Sequence, residues 1–297
     1  MRRISVTEPE IRATATLGEG PAWDQNHSAL VWVDILEKTV HLQSPPGGAP
    51  RVFRLDTHVG AALPASGGGW LVVVPTGFAV LEETGTVDPL LTVHGPEQAD
   101  LRFNDAKTDP SGRAWAGSMA YDERPGAGAL YRLDAGPTAR VILPKVGVSN
   151  GLGWSPDGRV FYYVDSLAGA LRAFDYSDDS GAIANARAIA VLRPEDGYFD
   201  GLCVDDAGCI WVALWDGRCV RRYTPNGELD TVVEVPVDRP TSCCFGPGGL
   251  LYITSARYGI PPARLREQPF AGSVFAVSVE ATAQPATLWQ AVEVAVV

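Results

Sequence analysis

Four side chains that end in oxygen, Glu19, Asn104, Asn150 and Asp200, each stand directly before a Gly or an Asp in stretches of chain that resemble one another. They offer two carboxylates and two carboxamides, with no thiolate or imidazole among them. Gathered at one point, the carboxylates would repel each other unless a positive charge lay between them. Such a donor set suits a hard divalent cation of the calcium, magnesium or manganese type. Three or four protein ligands leave room for water and a substrate, as in a catalytic rather than a closed structural site. The competing explanation is local, since an Asx residue before glycine often only caps a turn. Four such residues at one register, with Glu19 too long for a routine Asx turn, favour the shared site.

Whether they meet depends on the elements that carry them. The stretch SNGLGWSPDGRVFYYVDS, from Ser149, reads as a β-hairpin turning at Asp157-Gly158. Its pattern recurs with starts at 19, 59, 104, 150, 200 and 241, a spacing of 40 to 50 residues. Eleven residues after each start stand Leu30, Trp70, Trp115, Phe161, Trp211 and Tyr252, all large and apolar. Gly fills the turn eight residues after the start in five copies, and the first copy uses Gln25-Asn26-His27-Ser28 instead. Each copy continues into a third strand, and helical periodicity is scarce. Repeats of this length predict an all-β, six-bladed β-propeller with four-stranded antiparallel blades around a central channel, forming one domain over 1–297. The first strand of each blade lines the channel, so residues at the start position converge on the axis. Residues Glu10 to Leu17 read as an unattached strand, expected to complete the last blade and close the ring.

Composition narrows the function. Apolar residues make up 46% and charged residues 20%, enough for a core, and the net charge of −11 comes without a Lys/Arg cluster, which disfavours nucleic acid as a partner. Two arginines near the N-terminus are followed by no apolar run, and every apolar window ends within a few residues at Pro or Gly, so neither secretion nor membrane insertion is expected. The five cysteines, Cys203, Cys209, Cys219, Cys243 and Cys244, are odd in number and form no CxxC pair; buried thiols in a reducing cytoplasm are expected. His27, His41, His58 and His94 form no metal motif and are expected on surfaces or loops. Gly147-Val148-Ser149-Asn150-Gly151 matches GxSxG, but a nucleophile elbow needs a helix after the turn, whereas a hairpin follows here.

The stretches LGEGPAWD, RFNDAKTDPSGRAWAGSM, VSNGLGWSPDGRVFYYVDS, FDGLCVDDAGCIWVALW and RPTSCCFG, in this order, resemble the regucalcin/gluconolactonase family of sugar-lactone hydrolases, from about Leu17 to Val277. The resemblance implies one divalent cation in the channel, whether calcium, manganese, magnesium, zinc or iron(II), held by Glu19, Asn150 and Asp200. It places Asn104 beside them, touching substrate or a bound water, and Arg102 on substrate hydroxyl or carbonyl oxygens. Asp122 matches an acidic position that the family often carries after the Gly117-Ser118-Met119 segment. Asp200 is expected to orient or deprotonate the attacking water. The leading expectation is therefore a cytoplasmic, metal-dependent aldonolactonase whose partner is a small sugar lactone. Two alternatives stand beside it: a non-catalytic metal-binding scaffold, and another esterase or phosphotriesterase on the same propeller.

Overall fold

The computed structural model describes residues 1–45, 47–134 and 138–290; the last part of the expected domain, 291–297, lies outside the described residues. Six small antiparallel sheets form a ring, a six-bladed β-propeller. The innermost strands are Gly18–Asp24, Ala61–Pro64, Leu101–Thr108, Ser149–Trp154, Tyr198–Val204 and Pro240–Phe245. Among the described residues the single α-helix is Pro262–Arg266, and no helix is long and apolar enough to cross a membrane.

The repeat register is borne out by packing. Leu30, Trp70, Trp115, Phe161, Trp211 and Tyr252 all sit on second strands and are at most 2% exposed. Successive side chains of a strand point to opposite faces, so each of these fills the layer between neighbouring blades. Burying such a ring is worth about 2–3 kcal/mol, and Trp115, Trp154, Phe161 and Tyr176 pack together between the third and fourth blades.

A buried carboxylate holds several of these tryptophans. Asp205 accepts from the backbone N–H of Ala207 (3.0 Å) and Cys209 (2.9 Å), from the Trp211 indole (2.9 Å) and from Arg222. Asp109 does the same for Arg113 and Trp115, and Asp24 reaches across to Trp70 of the next blade. The aspartate orders the hairpin turn and the indole that follows it, so turn chemistry and core packing share one residue. In the fourth blade Ser155 takes the turn role, bonding the N–H of Val160, and Phe161 needs no acceptor.

Ring closure follows the expectation in position but not in continuity. Ile11 and Val274 exchange two backbone hydrogen bonds of 3.0 Å, and Leu17 bridges Ala256. The segment between them is no continuous strand, because the Asp34 carboxylate takes the N–H groups of Thr16 and Leu17. The sixth sheet thus has three strands and docks this segment beside them. A separate strand, Arg2–Ser5, pairs in parallel with Leu229–Glu234 and extends the fifth sheet to five.

The cysteines are free and buried, with Cys203 Sγ 3.6 Å from Cys243 Sγ. Of the histidines, His27, His58 and His94 lie outside strands, though His94 is buried, and His41 departs from expectation. His94 is buried, stacked 4.8 Å from Phe103, and His41 lies on a strand, stacked 4.0 Å from Trp32; in each case a ring face outweighs the solvation of a neutral imidazole.

Replacing Asp205 with Ala leaves the Trp211 indole and the Ala207 and Cys209 N–H groups without their acceptor and Arg222 with Asp230 alone. This should cost about 3 kcal/mol or more, read as a drop in the thermal midpoint. Asp157→Ala in an exposed turn should stay within about 0.5 kcal/mol.

Candidate functional site

The strands that carry the start residues share a local irregularity. Pairing with the second strand slips between Glu19 and Ala22, Phe103 and Ala106, Asn150 and Leu152, Phe199 and Leu202, and Pro240 and Cys243. These are β-bulges, which leave residues unpaired and re-aim their side chains. Asn104 and Asp105 lie wholly within one bulge, and Asp200 and Gly201 within another. The glycines that follow the start residues serve close approach. A Cβ on Gly151 would sit 2.7 Å from the Asp200 carbonyl, and one on Gly201 only 2.0 Å from Ser242 Oγ. Neighbouring inner strands could not come this near with a larger residue, so the dipeptides build the channel wall as well as shaping turns.

The bulges bring Glu19, Asn104, Asn150, Asp200 and Arg102 into the channel, each at most 7% exposed. Asn104 is fully engaged. Its Oδ1 accepts from Arg102 Nη1 (2.6 Å), and its Nδ2 donates to Ser149 O (2.9 Å) and to Asn150 Oδ1 (2.8 Å). Asn150 Nδ2 donates to Ser166 Oγ (2.8 Å), which donates to Phe199 O (2.7 Å). This chain of donors fixes the Asn150 amide with its oxygen toward Asn104. Ser166, invisible in the repeat because it follows the second strand, is its last support.

The carboxylates lack such partners. Glu19 accepts from its neighbour's N–H, Gly20 (2.9 Å), and Asp200 Oδ1 is buried with no hydrogen-bond partner. Burial, with the nearby Asp105 charge adding to it, pushes the Glu19 carboxyl from near 4.5 up to about 8. Burial and then Glu19 push Asp200 well above the usual carboxylate range, and burial also raises Asp105. Asp105 is thus a third channel carboxylate that sequence reasoning missed. The bulge faces both it and Asn104 inward, where strict alternation would permit only one.

Arg102 is buried and, among the described residues, forms no salt bridge; its N–H groups reach Phe103 O (3.2 Å) and Asn104. Tyr121, Glu19, Glu123 and Tyr258 are the charged or phenolic groups that act on it. Asp122 is not brought to this group. Its side chain is 64% exposed and pairs with Arg124, which also clasps Asp100. Glu123, the next acid along, is exposed in a left-handed conformation at φ 55°. Ser149 lies within a strand, its Oγ bonded to Tyr163 Oη at 2.7 Å, with no helix behind it.

The donor set fits a divalent cation. It holds oxygen only, including an orphaned carboxylate oxygen on Asp200 and two carboxylates that oppose each other's ionisation. A cavity of about 300 Å³ lies toward the other end of the inner strands, lined by Trp23, Lys107, Trp154, Phe245 and the segment around Pro285. It includes Asp105 but none of Glu19, Asn150, Asp200 or Arg102.

A six-bladed propeller with an acidic, oxygen-lined axis and one buried arginine defines a class, and comparison with known proteins places it. The chain belongs to the family described as SMP-30/Gluconolactonase/LRE-like region, which matches residues 17–257. It is similar to regucalcin of Oryctolagus cuniculus, with 38% identity over 270 residues, 88% of this chain and 90% of that protein. Among solved structures it is similar to a luciferin-regenerating enzyme (27% identity, TM-score 0.88, 96% of this chain and 100% of that one). A calcium-binding protein, regucalcin, from Agrobacterium tumefaciens shares the fold (24% identity, TM-score 0.92, 98% and 100% covered).

The raised carboxyls carry a pH signature. A carboxyl whose pKa is higher in the folded than in the unfolded chain stabilises the fold while protonated, and that contribution is lost as pH rises through the folded value. Chelator-treated protein should therefore lose about 5 °C or more of its thermal midpoint between pH 6 and pH 9. Glu19→Gln should flatten the loss, and an excess of a divalent cation should reverse it. A midpoint indifferent to both pH and every divalent cation would remove the cation site.

Proposed function

We propose that this protein hydrolyses the lactone of a sugar acid to the free aldonic acid, using one divalent cation held by Glu19, Asn150 and Asp200. The observation that carries the reading is the orphaned, buried Asp200 Oδ1 among raised carboxyls, beside a buried arginine without a salt bridge. Family membership supports the reaction class. When bound, the cation supplies positive charge that polarises a carbonyl and acidifies water.

The chain's own residues divide the remaining work. Arg102 donates to oxygens of the lactone ring and orients it, and its hydrogen bond to Asn104 fixes the direction of that donation. Asn104 also locks Asn150, so a shift in one is felt at the other. Asp200 is the base: as water adds to the carbonyl carbon, its carboxylate takes the proton. The ring C–O bond then breaks and Asp200 returns that proton to the departing ring oxygen, leaving a carboxylic acid and the freed hydroxyl and restoring the base. Burial keeps bulk water from competing for the hydrogen bonds that hold the ring.

The test is hydrolysis of glucono-, xylono- and arabinonolactone by chelator-stripped protein, then after adding calcium, manganese, magnesium, zinc or iron(II) singly. Stripped protein should match spontaneous opening, and at least one ion should restore turnover. Asp200→Asn should lower kcat by about 100-fold or more, and Asn150→Ala should weaken cation binding measured by calorimetry. Rates no faster than spontaneous opening with every ion would sink the proposal. Turnover confined to aryl esters or organophosphates would instead assign a different ester hydrolase, and cation binding without any turnover a scaffold.

A further inference from the structure

Two tyrosines stand at the mouth where the inner strands begin, in an arrangement that the hydrolytic machinery leaves unused. Tyr121 follows the second strand of the third blade and is 43% exposed; Tyr258 follows that of the sixth and is 48% exposed. Single exposed tyrosines need no explanation. These two rise from different blades at the end where the inner strands begin, the end that carries Arg102. The guanidinium lies 6.0 Å from the centre of the Tyr121 ring, within cation–π range.

Both tyrosines are held in place although exposed. The Tyr121 hydroxyl is 3.0 Å from His58 Nδ1, a link from the third blade to the second, and its N–H donates to Asp100 O (3.0 Å). Tyr258 donates its N–H to Thr16 O (2.8 Å) and accepts from Arg239 at its carbonyl. Gly259 follows at φ 69°, where a Cβ would meet Arg239 Nη1 at 2.5 Å, so the turn presenting Tyr258 is fixed. The Tyr121 ring, tied at its hydroxyl, and the Tyr258 ring, carried on an anchored backbone, offer flat apolar faces and hydroxyls to whatever approaches Arg102.

We infer that Tyr121 and Tyr258 are specificity-determining residues that bind the hydroxylated part of the ligand whose ring oxygens Arg102 holds, and that His58 is a positioning residue for Tyr121. The inference rests on the proposed lactone chemistry for the identity of that ring. The ligand class it names is a polyhydroxylated ring or chain: its C–H faces lie against the phenol rings and its hydroxyls bond the tyrosine oxygens. A bare lactone gains none of this.

The experiment uses the full chain loaded with its activating ion, with two readouts. The first is the ratio of kcat/KM for glucono-δ-lactone to that for δ-valerolactone, which has the same ring without hydroxyls. The second is binding of gluconate by calorimetry with calcium present, which needs no turnover. Tyr121→Ala and Tyr258→Ala should each lower the ratio about 10-fold, mainly through KM for the sugar lactone, and weaken gluconate about 10-fold. His58→Ala should shift KM in the same direction by less, with kcat held, and Tyr121→Phe should make the His58 change silent. Loss of all lactone turnover in the wild type, with tyrosine-dependent gluconate binding kept, would overturn the hydrolase reading and leave this inference standing. A wild type that binds no gluconate, variants that bind gluconate as it does, or an unchanged ratio would overturn the inference itself.

Discussion

Three carboxylates, Glu19, Asp105 and Asp200, lie on the axis of the ring where solvent scarcely reaches, and this is the constraint to which the rest of the structure answers. Two unit charges a few ångströms apart repel by several kcal/mol at the effective dielectric of a protein interior. Arg102 relieves part of this, and Lys107 acts on Asp105, but burial still drives every one of the three carboxyls toward the neutral form. A chain selected for stability alone would place apolar residues here. The arrangement makes sense when a cation completes it, because groups that destabilise one another when empty favour the charged, filled state.

Such a centre needs a wall that does not yield. Most of that wall is ordinary propeller construction: aromatic residues between blades and Asp–Trp pairs that tie turn to core. The start positions themselves are not all polar. Val59 is fully buried, and Thr241 spends its hydroxyl on Gly18 O and Thr254, joining the sixth blade to the first. The channel is therefore lopsided, its polar oxygens coming from the first, third, fourth and fifth blades while the other two supply wall and closure.

The repeat, the blade count and the convergence of Glu19, Asn104, Asn150 and Asp200 were legible because each is fixed within a few residues of sequence. A hairpin announces itself by its turn, and its copies by their spacing. What stayed hidden depends on pairing between strands. The bulges come from register slips that no single stretch encodes, so nothing in the sequence marks Asp105, next to a residue assigned to the axis, as a channel residue. Asp122 is held away from the group by Arg124, a pairing that its position in the sequence does not announce. The Arg2–Ser5 strand pairs with residues more than two hundred positions away, and nothing in its composition points to the fifth blade. Ser166 was likewise out of reach, since its partners Asn150 and Phe199 come from strands on two blades.

The two ends of the channel differ, and the difference decides which of them serves a ligand. At the far end the chain after the last blade runs across the opening. Thr282 and Gln284 bond Asp206 of the fifth blade, and Trp289 reaches Ala65 of the second, where it is buried. The cavity beneath is lined by Trp23, Trp154 and Phe245, with Lys107 turned to the Leu202 carbonyl. This cavity lies behind Asp105, on the side of the channel away from Glu19, Asp200 and Arg102. At the near end, among the described residues, Arg102 lies 6.0 Å from the half-exposed Tyr121 ring, with N–H groups on Phe103 O and Asn104 Oδ1. One end is thus crossed by chain, and at the other the buried polar group meets half-exposed tyrosines.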